Sequence, residues 1–583
     1  MFRVKEGIVS NAIEKANKNK QSLFAAGIFF IIANLFAVYF INQERFLYYW
    51  DFLAYWNKYT YLSEHFIGDT LSTIETVFWS IRENDYNDLP ACFLVPFGLL
   101  FGTSRLAYIL SIVNIFALPV AISLVVLHKK LSEAQGHTSA FLFLIPIGVI
   151  LLSPNFWDPI LLGFLDVGGV FLTNLILLRY LKNPYSKQSM RDLLLIALLI
   201  PMLVLFRRWY AYWGVAFYFV LFIEICLTAF LTRPFDIKGS VKTLLKFLAQ
   251  VSVSAVFFFT AAPTLARRIL GSNYSDLYSA YRTSTNLFQS FEVVLRNFGL
   301  FYFALFVCGA VIATIDKKTR KFAIFLLAQW LVIFILFART QDFDTHQLYL
   351  LLPPVLLFSS LFLTRLANAM KNFKILTISS VTLILFLNFL TAFTVKEFRN
   401  RWVPPQLLTY IRHTPLVRND INELKRILAV LAKLLVDPQD RVYILASSDA
   451  LNSNILDSAY LSFNSYKDVS KRIYKTHNID KRDGFPQELL DAKYVMVGDP
   501  AQYHMNPKDQ RVVGVPVKMF LEQTGIATSF LKLPYEFKLD KDVRVFIYKK
   551  IKPIRDSDAA YLSEMLRSYY PDRENVYKIP EKQ

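Results

Sequence analysis

Long apolar runs, separated by short polar stretches, fill the first two thirds of the chain. Eleven can be drawn, at residues 22–41, 106–127, 139–152, 160–178, 193–206, 212–231, 244–265, 298–315, 322–337, 348–363 and 375–393. An untilted membrane helix needs about 20 apolar residues, so the shorter runs must extend into polar flanks or be shielded by neighbours. The pattern predicts an α-helical polytopic membrane protein with about 11 transmembrane helices.

The loop after the first run, residues 42–90, mixes apolar and polar positions instead of segregating them. Residues 51–66 and 70–81 read as two amphipathic surface helices separated by Gly68-Asp69, with Trp, Tyr and Phe suited to the headgroup region. The next run, 91–102, holds Pro96, Gly98 and Gly102 and is too short to span, so it reads as interfacial or re-entrant. From residue 396 no spanning run occurs. Segments 441–446, 494–498 and 543–548 read as buried strands, and 416–436 and 517–523 as helices. The expected division is a transmembrane domain, 1–395, followed by a C-terminal soluble mixed α/β domain, 396–583.

Composition agrees with this division: 54% of the 583 residues are hydrophobic, and 53 Phe and 31 Tyr suit lipid-facing helices and interfacial belts. The net charge of +19 invites a nucleic-acid reading, but the basic residues sit in short loops between apolar runs. With Arg3, Lys5, Lys15, Lys18 and Lys20 in the cytoplasm, the alternate loops at Lys129/Lys130, Arg179–Arg191, Arg233–Lys242, Lys317–Lys321 and Arg365–Lys374 fall inside too. The opposite loop 42–90 carries eight acids against Arg45, Lys58 and Arg82. The expected location is a bacterial-type inner membrane, N-terminus cytoplasmic, C-terminal domain periplasmic or otherwise extracytoplasmic. The first run lacks a small-residue cleavage pattern and is expected to remain as an anchor. Cys92, Cys226 and Cys308 fall in separate apolar segments, with no CxxC spacing, and suggest neither a disulfide framework nor a metal site.

Ionisable and aromatic residues concentrate in the predicted outer loops. Asp51 stands within Tyr48-Tyr49-Trp50-Asp51-Phe52-Leu53-Ala54-Tyr55-Trp56, just past the first span. A lone carboxylate held among aromatics at a membrane surface is a candidate for chemistry. Asp88 closes Asn84-Asp85-Tyr86-Asn87-Asp88-Leu89-Pro90, where a helix cap explains it as well as catalysis does. Asp158 follows Ser153-Pro154 and suits a turn or cap, whereas Asp166 is expected about two turns into an apolar helix, where an unpaired carboxylate is costly. Arg207-Arg208, outside against the positive-inside trend, suit an anion such as phosphate or a salt bridge to the acids of the first loop. Arg267-Arg268 could do the same or bind lipid headgroups. Arg339, Asp342, Asp344, His346 and Tyr349 cluster before Pro353-Pro354 without matching a firm metal spacing; contacts to sugar and phosphate, or a plain solvated loop, are the readings. No GxxxxGK[ST], HExxH or GxSxG occurs, which disfavours ATP-driven transport, zinc proteolysis and serine hydrolysis.

These motifs, taken in order, are similar to those of the GT-C superfamily of membrane glycosyltransferases, nearest the protein O-mannosyltransferase and aminoarabinose-transferase group. The resemblance rests on the early Asp51, the return element NDYNDLP leading into Phe101-Gly102-Thr103-Ser104-Arg105, and Ser153-Pro154 with Asp166 twelve residues after the Pro. It continues with His346, Tyr349 and Pro353 entering a span, then the C-terminal domain. The return element lacks the Glu-Lys-Pro-Pro form of the aminoarabinose enzymes, and the first loop has no DxD. The resemblance implies a sugar donor on a polyprenyl phosphate and an envelope glycan, lipid or protein acceptor, with inversion at the anomeric carbon. It implies Asp51 as catalytic base, Asp166 as a second catalytic acid that with His346 orients acceptor or sugar, Arg207, Arg208 or Arg339 steadying the departing phosphate, and Asp88, Asp158 and Tyr349 as further substrate-binding residues. No cofactor is named by the sequence; a divalent cation stays open. Two rival classes are a flippase or transporter for a lipid-linked sugar and a non-catalytic envelope-assembly subunit. A transporter favours inverted repeats and midplane polar sites, and neither is seen here.

Overall fold

The computed structural model describes residues 23–137, 143–231, 236–370, 374–394, 406–463, 465–571 and 577–579. The basic N-terminal residues Arg3 to Lys20, Arg233, Lys371 and the expected domain boundary at 395/396 lie outside them. The chain divides into two compact units. The first comprises Met1–Gln43, Tyr55–Ser272 and Ser284–Pro415, and the second Glu44–Ala54, Asn273–Thr283 and Leu416–Gln583.

Helices dominate the first unit. Among the described residues, seven are long and apolar enough to cross a membrane: Leu23–Ile41, Arg105–Ala134, Tyr210–Leu231, Ile237–Ala261, Arg320–Ala338, Leu352–Ala369 and Ile375–Phe393. Counting each bent pair as one span raises this to nine, the pairs being Leu144–Leu151 with Pro154–Leu162, and Leu287–Phe298 with Leu300–Ile315. The chain is therefore a multi-pass membrane protein. The remaining expected runs form the shorter helices Val167–Tyr180 and Met190–Phe206. The run 91–102 folds as two short helices, Leu89–Cys92 and Val95–Phe101, in keeping with a segment that does not span.

Close packing in this unit relies on small residues, as expected where lipid supplies no hydrophobic drive between helices. A Cβ at Gly309 would stand 1.8 Å from the Phe358 carbonyl oxygen, so the helices Leu300–Ile315 and Leu352–Ala369 meet backbone to backbone there. The loop between the first two long helices forms the helices Trp50–Gly68 and Thr70–Glu83, and the Asp69 side chain caps the second by accepting from the Ser72 amide at 3.0 Å.

The second unit is a five-stranded sheet in the order β2-β1-β3-β5-β4. Its strands are β1 Val442–Leu445, β2 Ile473–Tyr474, β3 Tyr494–Asp499, β4 Phe530–Leu539 and β5 Val543–Lys550. β2, β1 and β3 run parallel, with Val442 opposite both Ile473 and Tyr494. β5 pairs antiparallel with β3 and with β4. Alternate residues feed two cores, as a pleated strand requires. Val442, Ile444 and Met496 pack with Leu424, Ile427, Leu428 and Leu431 of the helix Ile421–Leu434. Tyr443, Leu445 and Val497 pack with Val512, Phe520 and Leu562 on the other face.

Two excursions from the membrane portion of the chain belong to this sheet unit. Residues 44–54 place Leu47 and Tyr49 in the first core. They are fixed by Arg45, whose amide donates to Leu416 O and whose carbonyl accepts from the Arg418 amide, both at 2.9 Å. Residues 273–283 dock through Lys481 Nζ, 3.3 Å from Asp276, and Arg482 Nη1, 3.3 Å from the Tyr281 hydroxyl. The buried Arg418–Asp420 pair, two bonds of 2.8 Å, steadies the entry to the unit, and Asp420 also accepts from the Asp540 amide at 2.8 Å.

Candidate active site

The site in the first unit begins with an interrupted helix. Sequence alone places Asp166 inside a continuous apolar helix; the structure instead ends one helix at Leu162 and starts the next at Val167, with Asp166 as its N-cap residue. The cause is Gly163, whose φ of 86° lies in the left-handed region that favours glycine. Arg105 holds the break from outside, donating from Nη2 to the Leu162 carbonyl at 3.0 Å and to Leu161 at 3.3 Å, while the Tyr108 hydroxyl donates to Gly163 O at 2.7 Å. The interruption turns what would be an expensive mid-helix carboxylate into one presented at a helix end.

Asp166 is buried and meets Arg207, whose Nε donates to Oδ1 at 3.1 Å. Arg207 caps the C-terminus of the helix Met190–Phe206, so the two partners come from opposed ends of neighbouring helices. Its Nη2 lies 3.3 Å from His346 Nε2. A guanidinium can only donate, so Nε2 accepts and the imidazole proton sits on Nδ1. Burial, together with the charges of Arg207 and Arg208, holds His346 well below the usual histidine range, and the ring is neutral. The ring stacks on Phe164 at 4.2 Å. Tyr210 completes this part, its hydroxyl donating to the Asp166 carbonyl at 2.8 Å.

Arg208 extends the basic region. Its Nη2 donates to the Tyr86 hydroxyl at 2.7 Å, and its Nη1 and Arg268 Nη1 reach the same Asp85 oxygen at 3.4 and 2.9 Å. Aromatic faces line the guanidinium groups: Arg207 lies over Tyr55 at 4.9 Å and Tyr86 at 5.2 Å, and Arg208 over Tyr86 at 4.5 Å and Trp209 at 4.7 Å. Rings hold a weakly hydrated guanidinium out of water, leaving its charge effective toward an anion.

The other residues singled out from sequence have separate settings. Asp158 lies within the helix Pro154–Leu162, not in a loop or cap, and faces His413, whose Nδ1 is 2.9 Å from its Oδ1; both are buried. Tyr349 is buried and donates to the Phe156 carbonyl at 2.6 Å. Asp88 does not bond as a side-chain cap but pairs with Lys58 at 2.5 Å. Arg339 ends the helix Arg320–Ala338 and is exposed, whereas Arg207 and Arg208 are buried. Among the described residues, no three His, Cys, Asp or Glu side chains stand close enough to hold a metal ion.

Asp51 belongs to the second unit, in the first turn of the helix that opens at Trp50. Trp50 has φ 47°, a left-handed conformation strained for a bulky residue. Its ring packs 4.5 Å from His504, in the loop after β3. His504 Nδ1 in turn lies 2.8 Å from Ser447 Oγ, just beyond β1, and 3.0 Å from Gln510 Nε2. Burial lowers His504 to about 4, with Arg482 adding to the effect. Burial also raises Tyr281 to about 12; Arg482 opposes that shift and Asp51 reinforces it. The excursions thus bring Trp50, Asp51 and Tyr281 into the same unit as Arg482 and His504. Sequence reasoning missed Tyr281 and Arg482, because nothing in the apolar pattern marks residues 273–283 as part of the sheet unit.

Fold and site define the class: a polytopic membrane protein with a buried arginine-rich site at the broken ends of its helices, joined in one chain to an α/β unit. Its structure is similar to that of ArnT from Cupriavidus metallidurans bound to undecaprenyl phosphate, with 12% sequence identity, covering 89% of this chain and 97% of that one at a TM-score of 0.49. The apo state of the same protein gives 13% identity, the same coverage and a TM-score of 0.48. The apo oligosaccharyltransferase of Archaeoglobus fulgidus gives 12% identity, 82% and 69% coverage and a TM-score of 0.42. No family model and no curated protein matches the chain.

Proposed function

We propose that this protein is a membrane glycosyltransferase that moves a sugar from a polyprenyl-phosphate donor to an envelope glycan, lipid or protein acceptor at the outer membrane face. The observation that carries the reading is the buried Arg207–Arg208 pair, set among aromatic faces beside Asp166 and a neutral His346. In such a transfer the acceptor hydroxyl attacks the sugar C1, the bond from C1 to the phosphate oxygen breaks, and the lipid phosphate leaves with increased negative charge. Arginines preorganised in a dry setting stabilise that charge more in the transition state than in the ground state, which is what lowers the barrier. Asp166 serves by fixing the Arg207 guanidinium, and His346 by offering Nδ1–H to a sugar or phosphate oxygen.

Asp51 is the candidate base for the acceptor proton, in a transfer that inverts the anomeric centre. A carboxylate base needs a fixed position within hydrogen-bond reach of the nucleophile, and the strained Trp50 immediately before Asp51 supports a role that demands positioning.

The test is transfer of a radiolabelled sugar from a polyprenyl-phosphate donor by purified protein in lipid nanodiscs. Asp51→Asn should lower transfer about 10²- to 10⁴-fold, the range of general-base catalysis, while donor binding persists. Wild-type transfer by Asp51→Asn would remove the base assignment. Movement of intact donor across the bilayer without sugar transfer would favour the flippase reading instead.

A further inference from the structure

We propose that the first unit carries a second anion site, a pocket for the headgroup of an anionic phospholipid, at the end of the helices remote from the arginine pair. A cavity of about 340 Å³ opens between the helices Tyr210–Leu231 and Ile237–Ala261 and the turn at Tyr185–Lys187. Glu224 on its wall is fourteen residues beyond Tyr210, or about 21 Å along the helix axis at 1.5 Å per residue. Nothing in the proposed transfer reaction uses it.

Lys242, Lys246 and Lys321 line the cavity, with hydroxyls from Ser186, Ser240 and Thr243. The wall's two acids are already engaged. Glu224 accepts from the Tyr180 hydroxyl and from Lys321 at 2.6 Å. Asp236 caps its helix by accepting from the Gly239 amide at 2.9 Å. Lys246 Nζ donates to the Ser186 carbonyl at 3.2 Å, and Lys242 stands one turn away on the same helix face. The cavity therefore pairs two ammonium groups with hydroxyl donors, the chemistry that receives a phosphodiester.

The surroundings select a lipid over a soluble anion. Apolar side chains on the two bordering helices remain exposed beside the cavity: Leu227 at 55%, Phe230 at 76%, Val241 at 50% and Leu245 at 60%. These are surfaces for acyl chains, immediately next to a basic pocket for the headgroup. A phospholipid satisfies both, whereas free phosphate satisfies only the lysines.

The test is native mass spectrometry of the full-length protein, released from detergent after titration with dioleoyl phosphatidylglycerol or dioleoyl phosphatidylcholine. A phosphatidylglycerol adduct is expected that phosphatidylcholine does not match, and Lys242→Ser/Lys246→Ser should bind it roughly ten- to thirty-fold more weakly, as expected for losing two basic contacts near a membrane surface. Lys317→Ser/Lys318→Ser, which removes two exposed lysines that do not line the cavity, should leave the adduct unchanged and controls for general loss of charge. Undiminished binding by the Lys242/Lys246 variant, equal losses in both variants, or displacement by excess inorganic phosphate would each overturn the proposal.

Discussion

Arg207 and Asp166 meet through one buried bond, Nε to Oδ1 at 3.1 Å, although 41 residues separate them in sequence. Each closes or opens a helix, so the bond joins two chain interruptions and fixes both.

Breaking that pair should cost more than either residue contributes alone. Asp166→Asn and Arg207→Gln each leave a buried charge without its partner, which typically costs about 3–5 kcal/mol. The double variant should cost clearly less than the sum, because neither charge is then stranded. Unfolding of the three variants in a common detergent checks this; strict additivity would mean the pair is not coupled.

Gly163→Ala should destabilise the first unit by about 1–3 kcal/mol, because alanine pays for φ of 86° and its Cβ would stand 2.8 Å from Arg105 Nη1. The same change displaces Asp166, so sugar transfer should fall even in the fraction that remains folded. Thermal melts beside transfer assays separate the two effects, and wild-type values in both would refute the account of the helix break.

His504 predicts a pH dependence in the second unit. Its folded-state pKa of about 4 lies below the 6.5 of an unfolded histidine. Between those values the unfolded chain binds the extra proton, so stability is full above pH 6.5 and declines as pH falls toward 4. The contribution is on the order of 2 kcal/mol after allowing for partial exposure. His504→Gln should flatten this limb of the stability curve in acid titrations followed by unfolding; an unchanged slope would assign the acid sensitivity elsewhere.

Asp158 and His413 should behave as a structural pair. Asp158→Asn or His413→Phe removes one side of a buried polar contact of 2.9 Å and should cost about 1–3 kcal/mol. Proteolytic sensitivity of residues 406–415 is the readout, since His413 also donates its amide to the Ala392 carbonyl at 2.8 Å and anchors that segment. Unaltered digestion would show that the backbone contact suffices.

Apolar periodicity located the helices because lipid burial is a one-dimensional signal, and β1, β3 and β5 were visible as short, mostly apolar strings. β4 escaped detection because its exposed positions, Lys532, Pro534, Glu536 and Lys538, are those of an edge strand that water and charge protect from further pairing. Asp166 could be singled out because a carboxylate inside an apolar run is expensive, and Arg207 and Arg208 because they oppose the positive-inside trend; the structure brings them together with His346. The helix break at Gly163 could not be foreseen: a glycine in an apolar run is as compatible with close packing, as at Gly168 and Gly169, as with a left-handed turn. Asp85 and Tyr86 were visible only as part of a polar loop, and His413 gave no signal, since both depend on contacts far apart in sequence.

Leu47 and Tyr49 have a consequence for biosynthesis. They are made some 370 residues before the helix and strands with which they share a core. During translation this stretch must wait, unsatisfied, until the end of the chain is complete, and domains otherwise tend to fold as they emerge. The α/β unit is thus sealed last by one of the earliest segments to leave the ribosome. A fragment starting at Leu416 would lack part of its own interior.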